Sequence, residues 1–162
     1  MDENGTRVPD AGENILLPGG TASDRCPAGE KPSVDRWLRE VRAVPGAERI
    51  GMYLIHNGVV RATARSRVRS GDTQAKPVTG MLFSYDGEKV ARAVRAAEQM
   101  EGVCAVRVWL NSGALRVGDD IMTVLIGADI RPHAVRALES LVGAIKNECV
   151  TERELYEACE QL

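Results

Sequence analysis

The sequence predicts an α+β protein in which helices pack on a mixed, mostly antiparallel sheet. Apolar residues recur at helical spacing in three segments, and β-branched apolar runs of strand length lie between them. The resulting order of helix, hairpin, strand, helix, strands and helix differs from a regular βαβ repeat. Because 162 residues can bury one hydrophobic core of ordinary size, a single domain is expected.

The N-terminal region differs in composition from the rest of the chain. Residues 1–32 hold four of the seven prolines and five of the sixteen glycines, and they show no apolar periodicity. We therefore expect a flexible, dispensable tail over residues 1–32 and the folded domain over residues 33–162.

Composition and charge argue against several classes of protein. A net charge of -2 lacks the basic excess of a nucleic-acid-binding protein, and the apolar run at residues 15–17 is too short for a signal peptide or a membrane span. A cytoplasmic location is expected. Without a C-x-x-C pair or a cluster of zinc-like spacing, the cysteines are expected to be free thiols, and no metal is predicted. These cysteines are Cys26, Cys104, Cys149 and Cys159.

The domain begins with signals for a helix and a hairpin. Ser33 can cap an amphipathic helix that ends at Pro45-Gly46. Residues 50–56 and 59–69 have strand character, and Asn57-Gly58 between them favours a tight β-hairpin turn.

The remaining elements follow from composition and periodicity. We predict an exposed loop at 70–77, a strand at 78–85, a helix at 88–100, strands at 103–110 and 121–126, a long helix at 132–148 and a short element of undetermined type at 152–160.

Basic residues alternate along the second strand of the predicted hairpin. Arg61, Thr63, Arg65, Arg67 and Arg69 would lie on one face. One interpretation is a solvated outer face that protects a sheet edge. The other is an anion-binding surface, because guanidinium groups bind phosphate through two parallel hydrogen bonds.

Two cations lie near the two ends of the long predicted helix. Lys146 lies near its C-terminal end, where the helix dipole alone favours a lysine, but a buried lysine could instead act as nucleophile, proton donor or anion clamp. Arg131 precedes the same helix, where a cation is electrostatically unhelpful unless an anion binds nearby. His56 and His133 lack partners in a catalytic pattern and are interpreted as surface or satisfied histidines.

Residues 111–121 carry a more specific signal. Their sequence, NSGALRVGDDI, is similar to a strand-and-turn motif of the form R-x-G-x-L-x-x-G-[DE]-x-[IV], and a strand, an arginine and a long helix ending in lysine follow it at matching distances. In this combination, residues 33–156 resemble the large, catalytic subunit of molybdopterin synthase.

The resemblance assigns candidate site residues. Lys146 falls on the family's essential lysine, Arg131 on the arginine of its His-Arg pair, and Arg69 on the arginine that ends the first long strand. Arg153 takes the place of a second lysine, and Ile130 that of the histidine. The Pro-x-Trp-Lys stretch of the family is absent. The resemblance thus implies Lys146 as the catalytic residue and Arg69, Arg131 and Arg153 as substrate-binding residues.

The resemblance also implies a fold, an activity and partners. The fold would be of the α/β-hammerhead type, in a homodimer that binds a small ubiquitin-like sulfur carrier at each end and so forms a heterotetramer. The carrier's C-terminal Gly-Gly thiocarboxylate would enter a pocket containing Lys146 and transfer sulfur to cyclic pyranopterin monophosphate, forming the dithiolene of the molybdenum cofactor. No metal or other cofactor is expected.

Two other functions are compatible with the residues. A homologue that has lost the histidine and the second lysine could serve as a binding module for a carrier protein or a small ligand. A purely structural α+β domain with a basic sheet face would need no site at all.

Overall fold

The structure, a computed structural model, describes residues 30–157. Most of the predicted tail, Cys26, Cys159 and the end of the element predicted at 152–160 lie outside this range. Within residues 30–157, no helix is long and apolar enough to cross a membrane. The α+β prediction is confirmed, with helices packed on antiparallel sheets.

The first sheet has three strands and is covered on both faces. Its strands are β1 (Met52–Val59), β3 (Val103–Leu110) and β5 (Asp120–Ala128), with β5 in the centre and paired antiparallel to both neighbours. From Ile121 onwards β5 is fully buried, as its β-branched apolar sequence predicts.

Helices cover the two faces of this sheet. Helix α1 (Val34–Arg42) places Trp37 and Val41 against one face, while α3 (Gly87–Glu98) and α4 (Arg131–Ala144) contribute to the larger core on the other. As predicted, the hydroxyl oxygen of Ser33 caps α1 by accepting a hydrogen bond from the backbone.

The second sheet also has three strands and builds the other half of the domain. Its central strand is β2 (Val78–Tyr85), which pairs antiparallel with β4 (Gly113–Arg116) and with β6 (Val150–Tyr156). The element of undetermined type near the C-terminus is therefore a strand.

The predicted hairpin is wrong. Strand β1 continues through Asn57-Gly58 to Val59, and residues 65–70 form a short helix, α2 (Arg65–Ser70). The side chain of Asn57 is bound to the neighbouring strand β5, donating to Asp120 Oδ1 at 2.6 Å and accepting from Thr123 Oγ1 at 2.8 Å. These two bonds hold the Asn-Gly pair in the ladder instead of in a turn.

The packed part of the chain begins before the predicted boundary at Ser33. Pro32 is buried, and Lys31 Nζ lies 3.1 Å from Asp120 Oδ2 at the start of β5. Of the residues assigned to the tail, Pro32 thus packs on the domain and Lys31 forms an ion pair with it.

The first and last residues of helix α4 (Arg131–Ala144) lie far apart. The helix follows β5 directly and returns along the sheet, so its first residue, Arg131, and its last, Ala144, lie roughly 20 Å apart. The single helix predicted to continue to residue 148 instead ends in a π-helical turn (Ile145–Cys149), which leads into β6. This turn places Lys146 where α4, β6 and α2 meet.

Candidate anion-binding site

Lys146 projects from the π-helical turn towards β6. Its Nζ donates a hydrogen bond to Glu152 Oε1 at 3.1 Å. The side chain of Lys146 is 37% exposed, whereas that of Glu152 is only 7% exposed. The lysine therefore meets a buried carboxylate on one side and solvent on the other.

Arg65, the first residue of α2, binds the same carboxylate. Its Nη2 donates to Glu152 Oε2, and its backbone N–H donates to Glu154 Oε1 at 3.0 Å. Glu152 and Glu154 pair with the buried residues Phe83 and Met81 of β2, so both glutamates share the inward face of β6. We call Lys146, Arg65, Glu152 and Glu154, together with the nearby Arg61 and Arg69, the Lys146 cluster.

The surroundings disfavour a proton on Lys146. Burial lowers the pKa of its ammonium group, and the positive charges of Arg65, Arg69 and Arg61 lower this pKa further. A lysine with a lowered pKa can release a proton more readily than an ordinary surface lysine, while its ammonium form and the guanidinium groups attract anions.

His56 borders the cluster from β1, and its interpretation as a surface or satisfied histidine is wrong. Its Nε2 atom is buried and has no hydrogen-bond partner within the described part of the chain. Burial lowers the pKa of the imidazole, and the charge of Lys146 lowers it further. His56 is thus a half-buried ring beside the lysine, in surroundings that favour its uncharged form. His133, by contrast, is satisfied, with Nδ1 at 2.7 Å from Asp129 Oδ1.

Of the four residues expected to form the site, the structure brings two together within one chain. Arg69 lies near enough to Lys146 for its charge to act on the lysine. Arg131 lies at the opposite end of α4. Arg153 is exposed and pairs with Leu82, so it lies on the outer face of β6, away from the glutamates.

The sequence interpretation missed Glu152 and Glu154 and gave Arg65 no individual role. An available signal was the alternation of glutamates in T-E-R-E-L-Y, which in a strand places both carboxylates on one face. The alternating arginines were predicted to share one face of a strand, but those at positions 65, 67 and 69 lie on a helix. In the short helix α2, Arg65 and Arg69 are four residues apart and share a face, whereas Arg67 points elsewhere.

Arg67 instead borders a cavity beside α2. This cavity has a volume of about 260 Å³. It is lined by Ala62, Thr63, Ala64, Arg67, Ala75, Lys76 and Pro77. Arg67 and Lys76 give this cavity a basic lining.

The described residues contain no metal-ligand cluster and no disulfide. No group of three or more His, Cys, Asp or Glu side chains between residues 30 and 157 could hold a metal ion. Cys104 and Cys149 are free thiols, and burial, as the main cause, raises the pKa of Cys149.

Two antiparallel sheets, packed helices and a lysine held among arginines define an α+β protein with a candidate site for an anion. The family model described as MoaE protein matches residues 29–148. The chain therefore belongs to the MoaE family, as a divergent member of the molybdopterin synthase large subunits, and this membership supports a role in molybdenum cofactor biosynthesis.

Solved structures share this fold at low sequence identity. Molybdopterin synthase from Staphylococcus aureus aligns with a TM-score of 0.61 and 16% identity, covering 79% of this chain and 88% of that one. The molybdopterin biosynthesis MoaE protein from Burkholderia ambifaria aligns with a TM-score of 0.57 and 18% identity, covering 79% and 82%. A complex of subunits 1 and 2 of molybdopterin-converting factor from Helicobacter pylori aligns with a TM-score of 0.54 and 14% identity, covering 79% of this chain and 82% of that one. Comparison with curated protein sequences gave no match.

Proposed function

We propose that this protein is the large subunit of a molybdopterin synthase. It transfers sulfur from a thiocarboxylated small carrier subunit to cyclic pyranopterin monophosphate and so forms the dithiolene of molybdopterin. The observation that carries this proposal is the position of Lys146, which lies among three arginines at the junction of α4, α2 and β6.

The charges of the cluster suit the two reactants. The substrate carries a phosphate and the carrier ends in a thiocarboxylate, so two anions must approach one another. Arg61, Arg65 and Arg69 offset this repulsion, and their planar donors match the geometry of both anions. Lys146, with its lowered pKa, stabilises or captures the acyl group that remains after sulfur transfer.

The proposal includes specific partners. The small carrier is supported by the Helicobacter pylori structure, which is a complex of subunits 1 and 2 of that organism's factor. A homodimer would allow Arg131 of a second copy to approach Lys146, from which Arg131 is separated by the length of α4 within one chain. Arg153 would then serve a ligand that contacts the outer face of β6. The assembly would be a heterotetramer in the cytoplasm.

Two observations favour a second candidate, a carrier-binding module without turnover. Ile130, which occupies the family's histidine position, is 51% exposed and brings no proton-transfer group. Lys146 is also engaged by Glu152, which ties up one of its three donors.

One reconstitution separates the two candidates. The full chain is mixed with cyclic pyranopterin monophosphate and with carrier bearing either a thiocarboxylate or an ordinary carboxylate, and dithiolene formation is followed. The synthase proposal predicts product with the thiocarboxylated carrier alone. Stable binding of both carriers without product would support the binding module, and absence of binding would exclude both.

A further inference from the structure

We infer that Glu152 is a positioning residue for Lys146. Its buried carboxylate holds the Lys146 ammonium and the Arg65 guanidinium side by side and directs their remaining N–H donors outward, towards an anionic ligand. The reaction in which this arrangement serves is the proposed sulfur transfer, on which the inference rests.

The burial of the three side chains is asymmetric. Glu152 is 7% exposed, whereas Lys146 is 37% and Arg65 is 42% exposed. An ammonium has three donors and a guanidinium has five, so each cation retains donors after binding the carboxylate. Since the cations are more exposed than the carboxylate, we expect their remaining donors to be accessible to a ligand from solvent.

Glu152 is fixed in this place from several directions. Its backbone pairs with Phe83 in the ladder between β6 and β2. Each of its two carboxylate oxygens accepts from a different cation, Oε1 from Lys146 and Oε2 from Arg65. Two residues along the same face, Glu154 accepts from the backbone of Arg65 and so anchors the start of α2. Moving Glu152 aside would leave a buried carboxylate unpaired, which is costly. An incoming anion therefore joins the cluster from the exposed side and leaves Glu152 in place.

The carboxylate of Glu152 offsets the repulsion between Lys146 and the positively charged groups that face it. Arg65 and Arg69 lie on α2, Arg61 lies in the segment after β1, and His56 lies on β1. The three arginines repel an ammonium. Glu152, at 3.1 Å, brings the opposing charge that keeps the lysine and the arginines together.

The test compares Glu152→Gln with Glu154→Gln in the full chain. Both variants remove one negative charge from the same face of β6, but Glu154 contacts Arg65 and Tyr156 and has no bond to Lys146. The readout is the labelling midpoint, which is the pH at which Lys146 reaches half of its maximal reactivity towards acetic anhydride. It is measured by mass spectrometry of the Lys146 peptide. Removing an adjacent carboxylate disfavours the ammonium, so we expect this midpoint to fall by about 1 pH unit in Glu152→Gln. In Glu154→Gln it should move by less than about a third of that.

A second variant and a kinetic readout complete the test. Glu152→Asp keeps the charge but withdraws it by one methylene, so its midpoint should lie between those of the wild type and Glu152→Gln. This variant remains informative if Glu152→Gln does not fold. In the synthase reaction, Glu152→Gln should lower kcat about tenfold or more with a smaller change in KM, since it displaces the reacting group while exposed donors remain.

The outcomes of the labelling and the reaction are separable. An unchanged labelling midpoint in both Glu152 variants would overturn the positioning role, whatever the activity. A wild-type protein that forms no dithiolene would overturn the proposed function, while the shift in lysine reactivity would still establish that Glu152 holds Lys146.

Discussion

Replacing Lys146 by alanine tests the site most directly. If the lysine takes part in sulfur transfer, Lys146→Ala should lower the rate of dithiolene formation at least about a hundredfold, which corresponds to roughly 2.7 kcal/mol of transition-state stabilisation. The assay is single-turnover conversion of cyclic pyranopterin monophosphate with thiocarboxylated carrier. Carrier binding and dimer formation should persist.

The structure predicts that this loss is separable from stability. Lys146 is 37% exposed, and its bond to Glu152 is one of two cationic contacts of that carboxylate. Arg65 still neutralises Glu152 in the variant, so the cost to the unfolding free energy should be about 1 kcal/mol or less. For a domain of this size, such a cost lowers Tm by roughly 3–5 °C at most.

Two further variants sharpen the interpretation. Lys89→Ala removes an exposed lysine of α3 and should leave both rate and Tm unchanged. Lys146→Arg keeps the positive charge but replaces the amine by a group that does not deprotonate. Full activity in Lys146→Arg would limit the lysine to anion binding. Full activity in Lys146→Ala would refute the site assignment.

The remaining predictions concern stability. Because the pKa of His56 is lowered in the folded state, the unfolded chain binds the extra proton, so the unfolding free energy should fall as pH drops below about 6.5. In urea unfolding at pH 7.5 and 5.5, the unfolding free energy of His56→Gln should fall less between the two pH values than that of the wild type. Equal decreases in the two proteins would contradict the argument. Gly102 has a φ of 75°, and a Cβ there would overlap the aspartate and histidine side chains at the start of α4. Gly102→Ala should therefore cost about 2–4 kcal/mol, against about 1–2 kcal/mol for Gly71→Ala, where φ is 67° and no atom lies within 4 Å. Equal costs would show that the overlap is relieved. A chain starting at Glu30 should keep its Tm, whereas one starting at Val34 lacks the capping hydroxyl and should lose about 1 kcal/mol or more. A lower Tm on removal of residues 1–29 alone would show that they stabilise the domain.

Local patterns predicted most helices and strands because the relevant physics is local. The periodicity and serine cap of α1, the helix-forming residues of α3 and the apolar runs of β3 and β5 each depend on a few adjacent residues. Asn57-Gly58 shows the limit of such reasoning. Its turn preference is weaker than two side-chain hydrogen bonds to β5, which lies more than sixty residues further along the chain.

The candidate site was predictable only in part, for a related reason. Lys146 emerged from the family resemblance, but its partners come from distant segments, and Arg65 and Glu152 are 87 residues apart. Periodicity within one element cannot indicate such a pairing. The separation of Arg131 from Lys146 was predictable, since a helix of 14 residues has a known length.

The topology of the second sheet has a consequence for synthesis of the chain. Helix α2 and strand β2 precede β6 by more than sixty residues, yet β6 supplies both carboxylates that hold the start of α2. During translation, the arginines of α2 therefore leave the ribosome long before Glu152 and Glu154 are made. A nascent chain that stops before residue 150 presents the arginines of residues 65–70 without their carboxylate partners, and an unpaired edge of β2. Such fragments should adhere to RNA and to chaperones, whereas the complete chain, once β6 docks, neutralises part of that surface.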